Sequence, residues 1–147
     1  MNESDASTSR EYYRRDQRAG ISPPDLSKEC TFAEHIVHAR GKRTQFTSIS
    51  LDLSKIKDFG DTDYKLNQAK IVVDQHALVE HEALLEELRR VIREEDKADR
   101  LRATQALRYA TRRKEGLVKW SFNTSSVERK DLVSWAGIKV QVYFTKV

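Results

Sequence analysis

The spacing of hydrophobic positions changes several times along this chain, and each change marks an element. The short aromatic run Tyr12–Asp16 predicts a first strand. Gly20 and both prolines fall within residues 20–27, which predicts a loop. Residues 31–38 predict a helical turn or short helix, with Thr31 as N-cap and Glu34 completing a capping box. A polar turn around Gly41 follows, over Arg40–Thr44. From Gln45 to Leu51 the period is two: Phe46, Ser48 and Ser50 point one way, and Thr47, Ile49 and Leu51 the other. The β-branched centre of Ala69–Asp74 predicts another strand.

From Ala77 to Lys114 the period lengthens to that of a helix. Leu78, Leu85, Leu88 and Ile92 share one face, while Ala103, Ala106, Leu107 and Ala110 form a second stripe. Glu86 with Arg90, and Asp96 with Arg100, are opposite charges four residues apart. The pattern predicts two helices with a break near Glu95–Ala98. Strand character returns at Glu115–Phe122, a turn follows at Asn123–Val127, and Asp131–Trp135 and Ile138–Thr145 read as two closing strands. Strands flanking a central helical block at about 77–114 predict an α+β fold. The expected organisation is a flexible tail over 1–10 and one domain over 11–147.

Composition narrows the class. A length of 147 residues suits one domain with a modest core. Hydrophobic residues make up 38% and charged residues 34%, with both signs present, so the chain is no disordered polyelectrolyte. A single cysteine, Cys30, rules out an internal disulfide, and there is no four-ligand Cys/His zinc pattern, so no metal is expected. No apolar run approaches the roughly 20 residues that span a bilayer, and Met1–Thr8 is polar with no signal-peptide core. The expectation is a protein of a reducing compartment: cytoplasmic, or delivered into the cytosol of a target cell, with no membrane partner. The net charge of +4 is concentrated in three basic clusters, at Arg10–Arg18, His38–Arg43 and Arg108–Lys114. Such clusters either hold phosphates or form a solvated surface.

Three points sit on or beside predicted strands: Tyr13-Arg14-Arg15-Asp16; His35 followed by Phe46-Thr47-Ser48-Ile49-Ser50; and Glu115 opening Gly116-Leu117-Val118. An arginine, a strand serine and a glutamate in that order resemble the Arg–Ser–Glu, cholera-toxin-like class of ADP-ribosyltransferases, in particular its short toxin-like members. Tyr13, Arg14 and Asp16 match the family's Tyr-Arg-x-Asp strand. Phe46, Ser48 and Ser50 match its aromatic-x-Ser-Thr-Ser motif, with Ile49 in place of the usual Thr and with His35 and Gly41 upstream. His38–Gly41 and Ile71–Asp74 are similar to two further stretches of the family, and Glu115–Val118 to its Glu-x-Leu-Val. The resemblance covers residues 12–127.

The resemblance implies a split antiparallel β core and a mono-ADP-ribosyltransferase or NAD glycohydrolase that cleaves the nicotinamide–ribose bond of NAD. Its catalytic residues would be Glu115, Ser48 and Arg14. Breaking that bond builds positive charge on the ribose, which a carboxylate stabilises; Glu115 would supply it. A guanidinium matches a pyrophosphate; Arg14 would supply that. Ser48 would hold Glu115 and the nicotinamide ribose. Asp16, His35 and Ser50 complete the implied NAD contacts, with His35 on the adenosine ribose and Tyr64 as the ring stacked on nicotinamide. The partners would be NAD and a macromolecular acceptor, protein or nucleic acid. In arginine-modifying members the residue two before the glutamate is Glu or Gln, whereas here it is Arg113. Two other classes stay open: a non-enzymatic basic module that binds nucleic acid or a partner protein, and an inactive member of the same fold.

Overall fold

The computed structural model describes residues 10–38 and 42–147. Arg40 and Gly41 of the expected turn and most of the expected N-terminal tail lie outside them. Arg10, at the tail's end, is tied down: its carbonyl accepts from Gln68 Nε2 at 2.7 Å.

Helices and strands mix along the chain, and among the described residues six strands form one antiparallel sheet. The strands are β1 (Tyr13–Asp16), β2 (Phe46–Ser50), β3 (Thr62–Leu66), β4 (Ala77–Val79), β5 (Glu115–Lys119) and β6 (Phe144–Lys146). Their spatial order is β4-β5-β2-β1-β3-β6. The middle of the sheet is its weakest joint. β2 and β5 register over five residue pairs, from Phe46↔Lys119 to Ser50↔Glu115, but β1 and β2 share only Tyr13↔Ser50. Beyond that pair the two halves diverge, and Arg14 of β1 spans the gap to the Ser48 carbonyl of β2.

The helices are α1 (Phe32–His38), α2 (Gln68–Val73), α3 (His81–Glu94), α4 (Lys97–Arg113) and α5 (Leu132–Val140). The capping box of α1 forms as expected: Glu34 N donates to Thr31 Oγ1 at 3.1 Å and Thr31 N to Glu34 Oε1 at 2.9 Å. The break between α3 and α4 falls at Glu95–Asp96, where Asp96 caps α4 by accepting from Asp99 N. Arg90 pairs with Glu87 and Glu94, and Glu86 with Arg89 and Arg93, rather than Glu86 with Arg90.

Sheet alternation separates two cores. Leu117 and Phe46 face a cluster with α1, α3 and α4, in which Leu84, Leu88, Ala103, Ala106 and Ala110 are buried. Val118 and Ile49, one residue out of phase, face Tyr12, Tyr64, Leu66, Ile71, Trp120, Val140 and Tyr143. The three alanines of α4 are each 0% exposed, so this helix packs close because its inner face is small.

Three expectations are corrected. Ala69–Asp74 is helical, not a strand: Asn67 caps it by accepting from Lys70 N at 3.0 Å, and of Ile71, Val72 and Val73 only Ile71 is buried. One buried position in three fits one face of a helix, and tertiary packing overrides β propensity there. Ala77–Val79 is a strand paired with β5, so Leu78 belongs to the sheet while Leu84 joins Leu85 and Leu88 on the inner face of α3. The stretch read as two closing strands is α5 with a 3₁₀ turn, Gln141–Tyr143, and only β6 pairs with the sheet. Leu132, Ala136 and Val140 are buried at four-residue spacing, which is helical; the alternation in Lys139–Phe144 straddles the helix end.

Candidate functional site

A cleft of about 800 Å³ opens where β1 and β2 part. It is walled by α1, β2, the end of α4, the loop Ser22–Pro24 and the 3₁₀ turn Lys57–Phe59. Arg14, Asp16, His35, Ser48 and Glu115 all line it.

Glu115 reaches its place through the end of α4. Lys114 caps that helix in the left-handed region (φ 49°, ψ 46°), and the chain turns into β5 with Glu115 as its first residue. Ser50 fastens this junction: its Oγ donates to the Arg113 carbonyl at 2.6 Å, one of the orphan acceptors at the helix end. Ser50 is 1% exposed and outside the cleft wall, so it is a structural anchor and not an NAD contact. Glu115 stands opposite Ser50 in the register, and Ser48 lies two residues along on the same face. Ser48 Oγ donates to Glu115 Oε2 at 3.0 Å.

A directed chain of hydrogen bonds stands behind that serine. His35 Nε2 meets Ser48 Oγ at 2.6 Å, and His35 Nδ1 meets Thr44 Oγ1. Thr44 Oγ1 also accepts from Phe46 N at 3.2 Å. With Ser48 donating to Glu115, every group is satisfied when Thr44 donates to Nδ1 and Nε2–H donates to Ser48. Burial, with Arg14 nearby, takes the His35 pKa down to about 3, so the imidazole is neutral and this pattern holds across the physiological range. Both ring nitrogens are used inside the protein, which moves His35 from the expected ribose contact to the support of Ser48.

Arg14 bridges the divergent strands. Its Nε donates to Asp16 Oδ2 and its Nη1 to the Ser48 carbonyl, each at 2.8 Å. One N–H of Nη1 and both of Nη2 make no hydrogen bond among the described residues and can meet a ligand. Asp16 is 2% exposed and also accepts from Ser22 N, Ser22 Oγ and Gln17 N. Burial pushes its pKa up, but Arg14 and these donors outweigh burial and hold the carboxyl below the usual range. Asp16 is therefore the counter-charge that orients Arg14.

Glu115 is 3% exposed, and burial pushes its pKa up to about 7 against the opposing pull of Ser48, Arg113 and Arg14. A carboxylate at the base of a cleft, titrating near neutrality, can stabilise developing positive charge and take up a proton.

Comparison with known protein families, curated proteins and solved structures finds no match. The site therefore rests on its own geometry.

The position expected of Tyr64 is corrected as well. It is 4% exposed in a core cluster, its hydroxyl donates to the Gln17 carbonyl at 2.6 Å, and it is outside the cleft wall. The rings that do line the cleft include Phe59 and Tyr109. Phe59 was visible in the sequence as a lone aromatic in the polar stretch 54–63. Thr44 carried no such signal, because its role depends on where His35 folds.

Among the described residues no helix is long and apolar enough to cross a membrane, and no three His, Cys, Asp or Glu side chains group as a metal site.

Proposed function

We propose that this protein consumes NAD as a mono-ADP-ribosyltransferase or NAD glycohydrolase. The observation that carries the reading is the Ser48–Glu115 hydrogen bond at the base of a cleft spanned by Arg14. Arg14 and Ser48 lie 34 residues apart, and Ser48 and Glu115 lie 67 apart. In this reading the bond between ribose C1′ and the nicotinamide nitrogen breaks, and its electron pair leaves with neutral nicotinamide. The ionised Glu115 carboxylate stabilises the oxocarbenium-like ribose. Water or an acceptor attacks C1′ and gives up its proton to Glu115. Arg14, with Lys42, Arg43 and Arg112 of the cleft wall, meets the pyrophosphate.

The test is nicotinamide release from NAD. Glu115→Gln keeps the size and one acceptor oxygen but removes the charge, and should cost about 10²–10³ in rate. The working form is the carboxylate, so kcat/KM should rise with pH through about 7. No release by the unaltered protein, or full activity in Glu115→Gln, ends this reading.

One observation favours a second reading, a binding module for a polyanion. Lys42, Arg43 and Arg112 line the cleft wall and form no ion pair with the described residues. A salt-dependent nucleic-acid shift without nicotinamide release would support it.

A further inference from the structure

The guanidinium of Arg113, in the last turn of α4, lies against two aromatic rings and a carboxylate. Its guanidinium carbon lies 5.0 Å from the ring centre of Phe59 and 5.1 Å from that of Tyr109. Its Nη1 lies 3.9 Å from Glu115 Oε1. All four residues line the same cleft, and Phe59 is 44% exposed there although it is a large apolar side chain. Two aromatic faces beside a buried carboxylate form a site for a flat cation: the rings offer their negative faces and the carboxylate offers a full charge. In this structure the flat cation is the protein's own guanidinium.

We infer that Phe59, Tyr109 and Glu115 form a binding site for planar organic cations, and that Arg113 is its built-in occupant, displaced when such a ligand enters. The natural occupant follows from the proposed function, on which this part rests: the nicotinamide ring of NAD is a planar N-alkylpyridinium cation. Seated between Phe59 and Tyr109, it would bring the ribose bond to Glu115. Arg113 thus holds the nicotinamide end of the cleft closed with the same kind of charge that the substrate brings. Once the bond breaks, nicotinamide is neutral, the attraction falls, and Arg113 can return. The site therefore favours substrate over product.

Displacement is not costly. Solvent-accessible cation–π contacts are weak, and the ion pair is long, so removing Arg113 should improve ligand affinity about tenfold, equivalent to about 1.4 kcal/mol. The probe is 1-methylnicotinamide, a permanent pyridinium, measured by calorimetry beside neutral nicotinamide and methylammonium. Arg113→Ala ends α4 on a good helix former and leaves the fold alone. Arg112 already lies 5.7 Å from the Tyr109 ring centre, so the double variant Arg112→Ala/Arg113→Ala guards against its taking the vacated place. The double variant is expected to bind 1-methylnicotinamide about tenfold more tightly than the unaltered protein, with no comparable gain for nicotinamide or methylammonium. Adding Phe59→Ala should remove the gain.

Three results would overturn the proposal: no gain for the pyridinium in the double variant, an equal gain for neutral nicotinamide, or an equal gain for methylammonium. The second would mean that space alone was opened, and the third that charge alone was changed. If the pyridinium pattern holds while the unaltered protein releases no nicotinamide from NAD, the cation site stands and the NAD-consuming reading falls.

Discussion

At the scale of single residues, the site is governed by which group donates to which. Ser48 has one hydroxyl proton, and it goes to Glu115 because His35 Nε2 occupies the serine's acceptor side. That donation favours the carboxylate form and partly offsets the burial that raises its pKa to about 7. Ser48→Ala removes the donor and nothing else that touches Glu115. The acidic limb of the pH–rate profile for nicotinamide release should then move above its position in the unaltered protein, so activity falls most near pH 7 and recovers at higher pH. An unmoved limb would show that Ser48 does not tune the carboxylate.

At the scale of elements, β5 is placed by what it cannot accommodate as much as by what it pairs with. A side chain at Gly116 would put its Cβ 2.9 Å from Tyr12 Cε1 and 2.9 Å from the Val79 carbonyl oxygen, and 3.4 Å from Ile49 Cγ1. Tyr12 is fully buried and its hydroxyl accepts from His81 N at 2.7 Å, so the ring cannot swing aside. Val79 is paired in the sheet. Gly116→Ala must therefore shift β5 against β4 and move Glu115 with it. The expected cost is about 1–3 kcal/mol, read as a fall in Tm of about 2–4 °C per kcal/mol. A melt unchanged from that of the unaltered protein would mean that the strand yields freely.

At the scale of the whole molecule, two buried titrating groups oppose each other. The folded state raises Glu115 from 4.5 to about 7, so as pH falls from 7 to 4.5 the folded protein binds the extra proton and gains stability. It lowers His35 from 6.5 to about 3, so as pH falls from 6.5 to 3 the unfolded chain binds the extra proton and stability is lost. Between pH 4.5 and 6.5 the two nearly cancel, and below 4.5 only the loss remains. Glu115→Gln removes one side of this balance. Its stability should fall on acidification from pH 6.5 onwards by up to about 1.4 kcal/mol per pH unit where the unaltered protein loses less. The variant should also be the more stable of the two at pH 8, by up to roughly 3 kcal/mol. Denaturation at pH 5, 6.5 and 8 decides the matter: parallel profiles would show that Glu115 is not a buried titrating group. His76, lowered by burial in an aromatic cluster with Trp120, Phe122 and Tyr143, adds an acid-sensitive slope to both proteins.

By itself the sequence determined the local features whose energetics lie within a few residues. The capping box of α1, the Glu95–Asp96 break, the two-residue alternation of β2 and the small inner face of α4 each follow from near-neighbour geometry. The side on which Ser48 lies was legible for the same reason, since a strand's period fixes its faces. Only the tertiary structure decided the segments whose identity depends on a distant partner. Ala77–Val79 is a strand because β5 is there to pair with it. Ile71 is buried on a helix because Asn67 caps that turn and the sheet covers its inner face. Leu132, Ala136 and Val140 close a helix against the far core although alternation nearby pointed to strands. The candidate site divides in the same way. Arg14, Asp16, Ser48 and Glu115 could be named from sequence, but their roles were set by contacts across 34 and 67 residues. Tyr64 and Ser50 left the site, and Phe59 and Thr44 entered it, because burial and hydrogen-bond direction arise when sheet and helices pack and are not written in local spacing.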